Sequence, residues 1–473
     1  MMKQKNPQKW LLWVMMLVVS GAFAQTPPMA TKHEFSIQQA IYFAVKNNVQ
    51  VKNALLNLKN QLQVNREITA SALPQINGSI GSTFNPNIAV QKIPNFISPS
   101  TYQVLIDQAV KNGNTGQPIV APSEYGFIEA QFGSKWIASG NLSLQQLLFD
   151  GQVFVGLHAR KASIDYQTKN IEVTEEVIKT NIYKIYYQLL VGKTQLALFD
   201  ANISRLTKLM ADTKALYDNG FAEKLDINKV SVQLANLQTQ KLSADNSIAT
   251  GYLGLKTLIG MSVKDTLILT DSISEDQIKN DILNDAYQYS DRKEFQLADL
   301  GKKLSEFSVK RYELSKLPTI ALSGNYGKSA QRSKFDFFGK GDWFTSSSVG
   351  LNVSIPIFSG FAKDARIKQA QISLEQTNNT IANLKNQIDN DVATATMNFK
   401  LAISTMDYQK KNMELAETVY NQTKKKYEIG TGSNTEITSA QTDLTTAQTN
   451  YISALYSAII AKIDYQKAIG KLK

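Results

Sequence analysis

The sequence predicts a mixed α and β membrane protein in which short β-strands alternate with very long, coiled-coil-like α-helices. Three observations lead to this prediction: the N-terminal segment directs export, one pattern of motifs occurs twice, and heptad spacing of apolar residues continues over long stretches. A chain of 473 residues is also long enough for a large core or several domains.

The first 24 residues have the three parts of a secretory signal peptide. The segment "MMKQKNPQKW" is basic, "LLWVMMLVV" is apolar, and "AFA" before Gln25 is a small-residue cleavage site. We expect cleavage after about Ala24, with an uncleaved anchor as the alternative, and cleavage lowers the net charge from +11 to +8. No later segment reaches about 18 apolar residues, so the sequence predicts no transmembrane helix.

The composition argues against several classes of protein. The chain has no cysteine and two histidines, His33 and His158, so disulfides, lipidation on an N-terminal cysteine and Cys/His zinc sites are excluded. The basic residues are spread along the chain, which is typical of a solvated surface rather than a nucleic-acid patch. Glu175 and Glu176 have no nucleophile, metal ligands or phosphate loop beside them. We therefore expect no enzyme, cofactor or metal.

The sequence contains an internal repeat. "LPQINGSIG" at 73–81 is similar to "LPTIALSGN" at 317–325, and "NLSLQQLLFDG" has a counterpart in "LNVSIPIFSG". We predict a first repeat at 25–260, a connecting segment at 261–283 and a second repeat at 284–473. The predicted elements are a helix at 36–72, strands at about 75–84 and 137–149, a long helix at 152–219 and a return helix at 222–260, followed in the second repeat by a helix at 284–316, strands at about 318–327 and 346–358, a long helix at 361–429 and a return helix at 433–469.

The two long helices have the same heptad pattern. Apolar residues follow steps of three and four from Ile171 to Tyr217, and again from Ile381 to Tyr427. An ordinary amphipathic helix has a period of 3.6 residues and would drift off this spacing, so the pattern favours a coiled-coil-like seam. Each long helix would span ~100 Å, and the shorter helices, placed end to end, would match that length.

The strands alternate between apolar residues and small polar ones, as in a transmembrane barrel with a wet lumen or a half-buried soluble sheet. The aromatic segment "KFDFFGKGDWF" favours the membrane. Because four strands cannot close a barrel and open edges in lipid are costly, a membrane location requires oligomerisation. Gly151 and Gly360 would bend the chain from strand into helix, and Pro356 fits the last lumen-side strand position.

Two glycines are predicted to end the long helices. Gly220 and Gly430 follow the last heptad of each and are suited to the left-handed C′ position. "SNTE" is a capping box that would start the last helix at Ser433, with Glu436 bonding back to its amide. Glu436 thus has a structural role whether or not it contributes charge to a passage.

Together these residues resemble the TolC family of outer-membrane efflux proteins. The resemblance covers essentially the whole mature chain and rests on "SALPQI" and its copy "SKLPTI", on "VSIPIFSG" and on "YEIGTGS" followed by a Thr/Gln/Ala-rich helix. It implies a homotrimer in outer-membrane lipid with a shared twelve-stranded barrel and a periplasmic helical barrel. It further implies a passive exit duct for tripartite efflux or type I secretion, with a periplasmic adaptor and an inner-membrane pump of the RND or ABC type.

The resemblance also suggests functional residues. The adaptor-docking turns would contain Gly220, Phe221, Gly430, Thr431 and Gly432. A family constriction of acidic residues maps onto Asp226, Lys229, Glu436 and Ser439. Only Asp226 and Glu436 are acidic, and Gly432 occupies the position of a family arginine, so this chain departs from the family network.

A second reading is a non-conducting trimeric coiled-coil protein with a structural or adhesive role in the envelope. It would share the heptads but would not need two strand pairs between long helices. The sequence specifies neither the exported substrate nor the pump class.

Overall fold

A computed structural model of the chain describes residues 31–279 and 286–472, so the predicted signal peptide at 1–24 lies outside the described residues. The main elements in chain order are β1 (Lys32–Phe35), α1 (Ile37–Asn47), α2 (Val49–Ala70), β2 (Gln75–Phe84), β3 (Val90–Pro94), α3 (Ile97–Asp107), β4 (Phe127–Gln131), β5 (Trp136–Phe149), α4 (Gly151–Asp218), α5 (Lys224–Ile259), β6 (Thr266–Leu269), α6 (Glu275–Lys279), α7 (Lys293–Leu314), β7 (Thr319–Arg332), β8 (Phe344–Ser354), α8 (Ala362–Glu428) and α9 (Asn434–Ala468).

The chain forms two compact units. The helical unit contains the described parts of Met1–Asn60, Ile164–Lys302 and Gln376–Lys473, and the sheet unit contains Gln61–Ser163 and Lys303–Glu375. The mixed α and β fold class is therefore as predicted. In the described residues, no helix is both long enough and apolar enough to cross a membrane.

The predicted heptad positions form the buried face of the helical unit. Ile182, Leu189 and Phe199 of α4 are at most 5% exposed, and Ile388 and Phe399 of α8 are fully buried. These side chains belong to three apolar clusters within the unit, which also take side chains from α1, α5 and α9. Apolar burial along these helices therefore supplies the main stabilisation of the unit.

The predicted helix at 36–72 is broken. Asn48 has an extended backbone, its side-chain oxygen accepts from the Gln50 amide at 2.7 Å, and its side-chain nitrogen donates to the Leu258 carbonyl at 2.6 Å. Its side chain thus starts α2 and ties the break to the end of α5. The break resembles an Asx turn, which competes with continuous helix.

The predicted helix at 284–316 begins later than expected, at Lys293. Residues 284 and 285 lie outside the described residues, and Tyr289–Asp291 form a 3₁₀ turn. The hydroxyls of Tyr287 and Tyr289 both donate to Asp389, at 2.7 and 2.9 Å, which holds this segment against α8.

Two short strands were not predicted from the sequence. β1 and β6 pair in parallel, from Lys32 opposite Thr266 to Phe35 opposite Leu269. β6 lies in the connecting segment at 261–283, so this segment is joined to the first residues of the described chain.

The sheet unit contains four antiparallel strands in the order β2, β5, β7, β8. β7 extends to Arg332, beyond the predicted 327, and β8 ends at Ser354, before the predicted 358. The buried apolar residues described in this unit are small apart from one valine: Ala138, Val155, Ala162, Ala330 and Ala370. The sheet therefore has little core of its own.

The long predicted loop between β2 and β5 contains further structure. β3 and β4 pair as an antiparallel ribbon, with Lys92 of β3 3.2 Å from Glu129 of β4, and α3 lies between them. We call residues 85–135 the outer excursion. The shorter connection between β7 and β8, residues 333–343, is called the aromatic loop.

Candidate functional site

One face of the four-stranded sheet is polar across its whole width. The register aligns Asn77, Ser143, Asn325 and Ser348 in one row, and the next row contains Ser79 and the residues paired with it, Asn141, Gly327 and Ser346. Since side chains alternate between the two faces along each strand, these rows lie on the same side. Hydroxyl and amide groups suit contact with water.

The opposite face is apolar. One row contains Ile76, Leu144, Gly324 and Val349. The side chains at its two ends, Ile76 and Val349, are 72% and 82% exposed. An exposed apolar face of this kind needs a cover that the described residues do not provide. The sheet therefore separates a wet side from an apolar side.

Aromatic residues lie at both ends of the sheet. At the end away from the helices, the ring centroids of Phe84 and Trp136 are 4.6 Å apart, and Phe335 lies 5.0 Å from Trp136. At the helix end, Phe149 pairs with Phe154 at 5.6 Å and Phe358 with Phe361 at 5.5 Å. Two aromatic bands flanking an apolar band are typical of a sheet that crosses a bilayer.

The outer strands β2 and β8 each have one edge without a partner strand within the described chain. The backbone donors and acceptors along these edges are available for pairing with another strand. If the apolar face lies in lipid, leaving both edges open would cost several kcal/mol for each unpaired group.

The predicted junction residues differ in what they do. Gly360 has a φ of +59°, as expected for a bend, whereas a Cβ on Gly151 would lie 2.7 Å from the Leu314 carbonyl oxygen. Gly151 is therefore required for close approach to α7 rather than for a left-handed bend. Pro356 lies two residues after β8 ends and not at its last paired position, which is Ser354 opposite Thr319.

The predicted turn glycines end the long helices as Schellman motifs. Gly220 and Gly430 have φ values of +81° and +78°. The amide of Phe221 bonds to the Leu216 carbonyl at 2.8 Å, and that of Thr431 bonds to the carbonyl five residues before it at 2.9 Å. Both turns use the same bond pattern, in which a left-handed glycine satisfies free helix carbonyls.

Gly432 packs closely on the last turn of α8. A Cβ there would lie 3.0 Å from the amide nitrogen of Tyr427 and 3.1 Å from the carbonyl carbon of Lys426. The Gly432 amide donates to the Lys426 carbonyl at 3.0 Å. A side chain at this position would press on backbone, so the turn favours glycine over the family arginine.

Asp226 connects the two turns. One carboxylate oxygen accepts from the Glu223 amide at 3.2 Å and the other accepts from the Asn434 side-chain amide at 3.0 Å. Asn434 is the first residue of α9 and is buried. Asp226 therefore caps α5 and holds the start of α9 against it, a contact that sequence reasoning did not find.

Glu436 forms the predicted capping box. The Ser433 hydroxyl accepts from the Glu436 amide at 3.2 Å, and the Ser433 amide donates to the Glu436 carboxylate at 3.3 Å. Glu436, Lys229 and Ser439 are exposed, whereas Asp226 is half-buried. The structure brings Asp226 close to the start of α9, but it shows no shared cluster of all four predicted constriction residues.

Buried amides join α9 to α4 above the turn. Asn202 is 1% exposed and donates to Gln448 at 2.7 Å, while Gln441, 2% exposed, donates to Asn202 at 3.1 Å. Nearby, the hydroxyls of Thr213 and Tyr427 are 3.1 Å apart. The buried glutamines make the first part of α9 more polar in its packing than the later part, where isoleucine, leucine and alanine predominate.

Apolar side chains project from the two turns. Phe221 is 81% exposed and Ile429 is 74% exposed, and Leu225 at the start of α5 is 55% exposed. Exposed large apolar residues at the ends of long helices are suited to contact with another protein.

One carboxylate is buried in the helical unit. Glu176 of α4 is 7% exposed, and one of its oxygens has no hydrogen-bond partner among the residues that the structure describes. Burial raises the pKa of this carboxyl group, and the nearby cations Lys293 and Arg292 oppose the shift.

Comparison with known proteins identifies the fold. A family model described as outer membrane efflux protein matches residues 306–471. The TolC outer membrane protein of Vibrio cholerae is 17% identical over 340 residues, covering 71% of this chain and 77% of the relative. A solved structure of CusC superposes with a TM-score of 0.73 at 14% identity, covering 93% of each chain. The chain thus has the fold of these solved structures and is similar to the TolC outer membrane proteins over most of its length.

A secretion protein is also similar to this chain. The alkaline protease secretion protein AprF of Pseudomonas aeruginosa is 22% identical over 346 residues, covering 70% of this chain and 68% of AprF. In this chain, "LPQINGSIG" enters β2 and "YEIGTGS" forms the turn between α8 and α9. The motifs that suggested the family thus lie at strand starts and helix ends.

Proposed function

We propose that this protein, like the TolC proteins that it resembles, is a passive exit duct in the outer membrane, through which substrates delivered by an inner-membrane pump leave the cell. The observation that carries the proposal is the register of the sheet, which aligns polar residues on one face and apolar residues on the other. Only a wall between water and lipid needs both faces together with aromatic bands at both ends. The pump would serve tripartite efflux or type I secretion.

The duct requires several copies. Three copies, each giving four strands, would pair the free edge of β2 with that of β8 in the next copy and close a twelve-stranded barrel. Exposed apolar residues in the helical unit support further contacts between copies. Met397, Leu401, Tyr408 and Leu415 form a stripe on α8, and each is at least 62% exposed.

The two-repeat division at 25–260 and 284–473, with 261–283 between them, is part of the proposal. Matched elements support it: α4 and α8 have 68 and 67 residues, and α5 and α9 have 36 and 35. Each return helix also ends at a left-handed glycine, Gly260 with φ +75° and Gly470 with φ +74°.

We propose that the two helix turns dock a periplasmic adaptor. Phe221 and Ile429 supply exposed apolar surface, and Thr431 follows Gly430 on the same turn. Asp226 and Glu436 would bring six carboxylates to the turns of a trimer. Because both carboxylates accept backbone amides, their first role is to start α5 and α9, and any effect on conduction adds to that role.

Planar-bilayer recording of the purified trimer tests the duct. We expect a heat-resistant trimer in outer-membrane fractions that conducts ions, and loss of conductance after the same sample is dissociated by boiling. A trimer that never conducts would overturn the duct and favour the structural or adhesive envelope protein. Recovery as a soluble monomer would overturn the membrane location as well.

A further inference from the structure

The outer excursion is the part of the sheet unit that the duct does not explain. It connects β2 to β5 through residues 85–135, whereas the equivalent connection between β7 and β8 is made by the aromatic loop at residues 333–343. A duct wall needs only a short turn at this end. The excursion therefore has a purpose beyond strand connection.

The excursion has no core of its own. Every residue in it is half-buried or exposed, and nine of its large apolar side chains are exposed, including Phe96 at 63%, Val120 at 79% and Phe127 at 72%. It contains three lysines and three acidic residues and so has no net charge. A two-stranded ribbon and one short helix with exposed apolar residues are marginal in water without a cover.

The strand order determines what lies beside the excursion in a closed barrel. The excursion leaves β2 at Phe84, and β2 is a free edge. Since neighbouring strands are antiparallel, the end of β2 lies next to the start of β8 in the adjoining copy. The aromatic loop leads directly into that start, at Phe344, and its Phe338 is 94% exposed.

We propose that the outer excursion of each copy packs on the aromatic loop of the neighbouring copy, so that three excursions form a collar around the outer mouth. This inference rests on the proposed trimeric duct. The collar continues the β2–β8 seam, which holds the two surfaces at high effective concentration once it has formed. The aromatic loop is also neutral, with Lys334 and Lys340 offset by Asp336 and Asp342, so apolar contact dominates on both sides.

The absence of cysteine from the chain makes site-specific cross-linking direct. Phe338→Cys is combined in turn with Phe96→Cys, Val120→Cys and Phe127→Cys, and whole cells and purified trimers are treated with a short bis-maleimide. We expect at least one pair to give covalent dimers and trimers in both samples, and each single-cysteine variant to give less than a tenth of that yield.

Two controls separate the collar from the trimer itself. Lys316→Cys with Phe338→Cys places the thiols at opposite ends of β7, ~46 Å apart along a strand, and should not cross-link. Ser79→Cys combined with Ser346→Cys or Ser348→Cys reports the seam. Seam products without excursion products would refute the collar while the trimer stands. Loss of both would refute the trimer and the collar together.

A second measurement tests whether something other than a neighbouring copy covers the excursion. Phe96→Ser with Val120→Ser and Phe127→Ser should lower the temperature at which the purified trimer dissociates in detergent, while monomer secondary structure is unchanged. An unchanged dissociation temperature would overturn the collar. So would excursion cross-links that form in cells only to a different protein, because the cover would then be a foreign partner.

Discussion

The contact between Asp226 and Asn434 is the sharpest test of how the two turns are held together. Replacing Asp226 with Ala removes the acceptor for the Glu223 amide and for the Asn434 side chain. Only the 3.4 Å contact from Asn434 to the backbone oxygen of residue 226 would be left. Replacing Asp226 with Asn removes the charge but keeps one side-chain oxygen as an acceptor.

The structure gives the size of the effect. Loss of a helix cap costs about 1 kcal/mol. The buried side-chain amide of Asn434, whose own oxygen has no partner within the described part of the chain, would add about 1–3 kcal/mol when it loses the carboxylate acceptor. We therefore expect Asp226→Ala to destabilise the turn region by about 2–4 kcal/mol per protomer, and Asp226→Asn by about 1 kcal/mol or less.

Glu436→Ala is the matched control because Glu436 occupies the same cap position in α9 but is exposed. The Ser433 hydroxyl would still accept from the amide of residue 436, so the expected cost is about 0.5–1 kcal/mol. The Asp226 and Glu436 variants thus remove one carboxylate each from equivalent helix starts, but only one of them strands a buried group.

Hydrogen exchange of the purified trimer, read by mass spectrometry, is the assay. We expect Asp226→Ala to speed exchange in the first turns of both α5 and α9, and Glu436→Ala to affect α9 alone. Equal effects of Asp226→Ala and Asp226→Asn would refute the reasoning, since charge rather than hydrogen bonding would then hold the turns. Conductance of Asp226→Asn with Glu436→Gln isolates charge: a reduced cation preference would show that these carboxylates face the passage.

Three further predictions concern other parts of the helical unit. Gly220→Ala should cost about 1–2 kcal/mol for a left-handed alanine, whereas Gly260→Ala should cost clearly more in thermal unfolding, because its Cβ would lie 2.5 Å from the Asn47 carbonyl oxygen. Glu176→Gln should stabilise the protein at neutral pH. Because burial raises the folded-state pKa of Glu176, the stability of the native protein falls as the pH rises above about 4.5. The melting temperature of the variant should therefore depend less on pH over that window. Phe221→Asp should reduce adaptor binding in pull-down at least tenfold without changing trimer yield or conductance; unchanged binding would remove this turn from the docking surface.

The apolar seam of the long helices and the turns at their ends could be predicted from the sequence because their signals are local. The heptad positions around Ile182 and Ile388 are the buried ones, and "YEIGTGS" has the left-handed glycine and the capping box that its residue types require. Period and residue type are enough for such features, because neighbouring residues along one helix determine them.

Features that depend on distant residues could not be predicted. β1 and β6 are four residues each and pair across more than 200 positions, so neither has a signal by itself. From the sequence Gly151 is interpreted as a bend residue, because nothing near it along the chain indicates that Leu314 packs against it. The sequence identifies Asp226 only as an acidic residue in the first turn of a helix, and nothing in it points to Asn434 as its partner.

The buried amides of Asn202, Gln441 and Gln448 solve a problem that repeating helices create. An apolar seam with a seven-residue repeat looks almost the same after one helix slides by seven residues along another, so apolar contact alone does not distinguish the two alignments. Gln441 and Gln448 are one such repeat apart, and both contact Asn202. A slide of one repeat would leave one glutamine without that contact, at a cost of about 1–3 kcal/mol. The buried amides thus specify one alignment of α9 along α4.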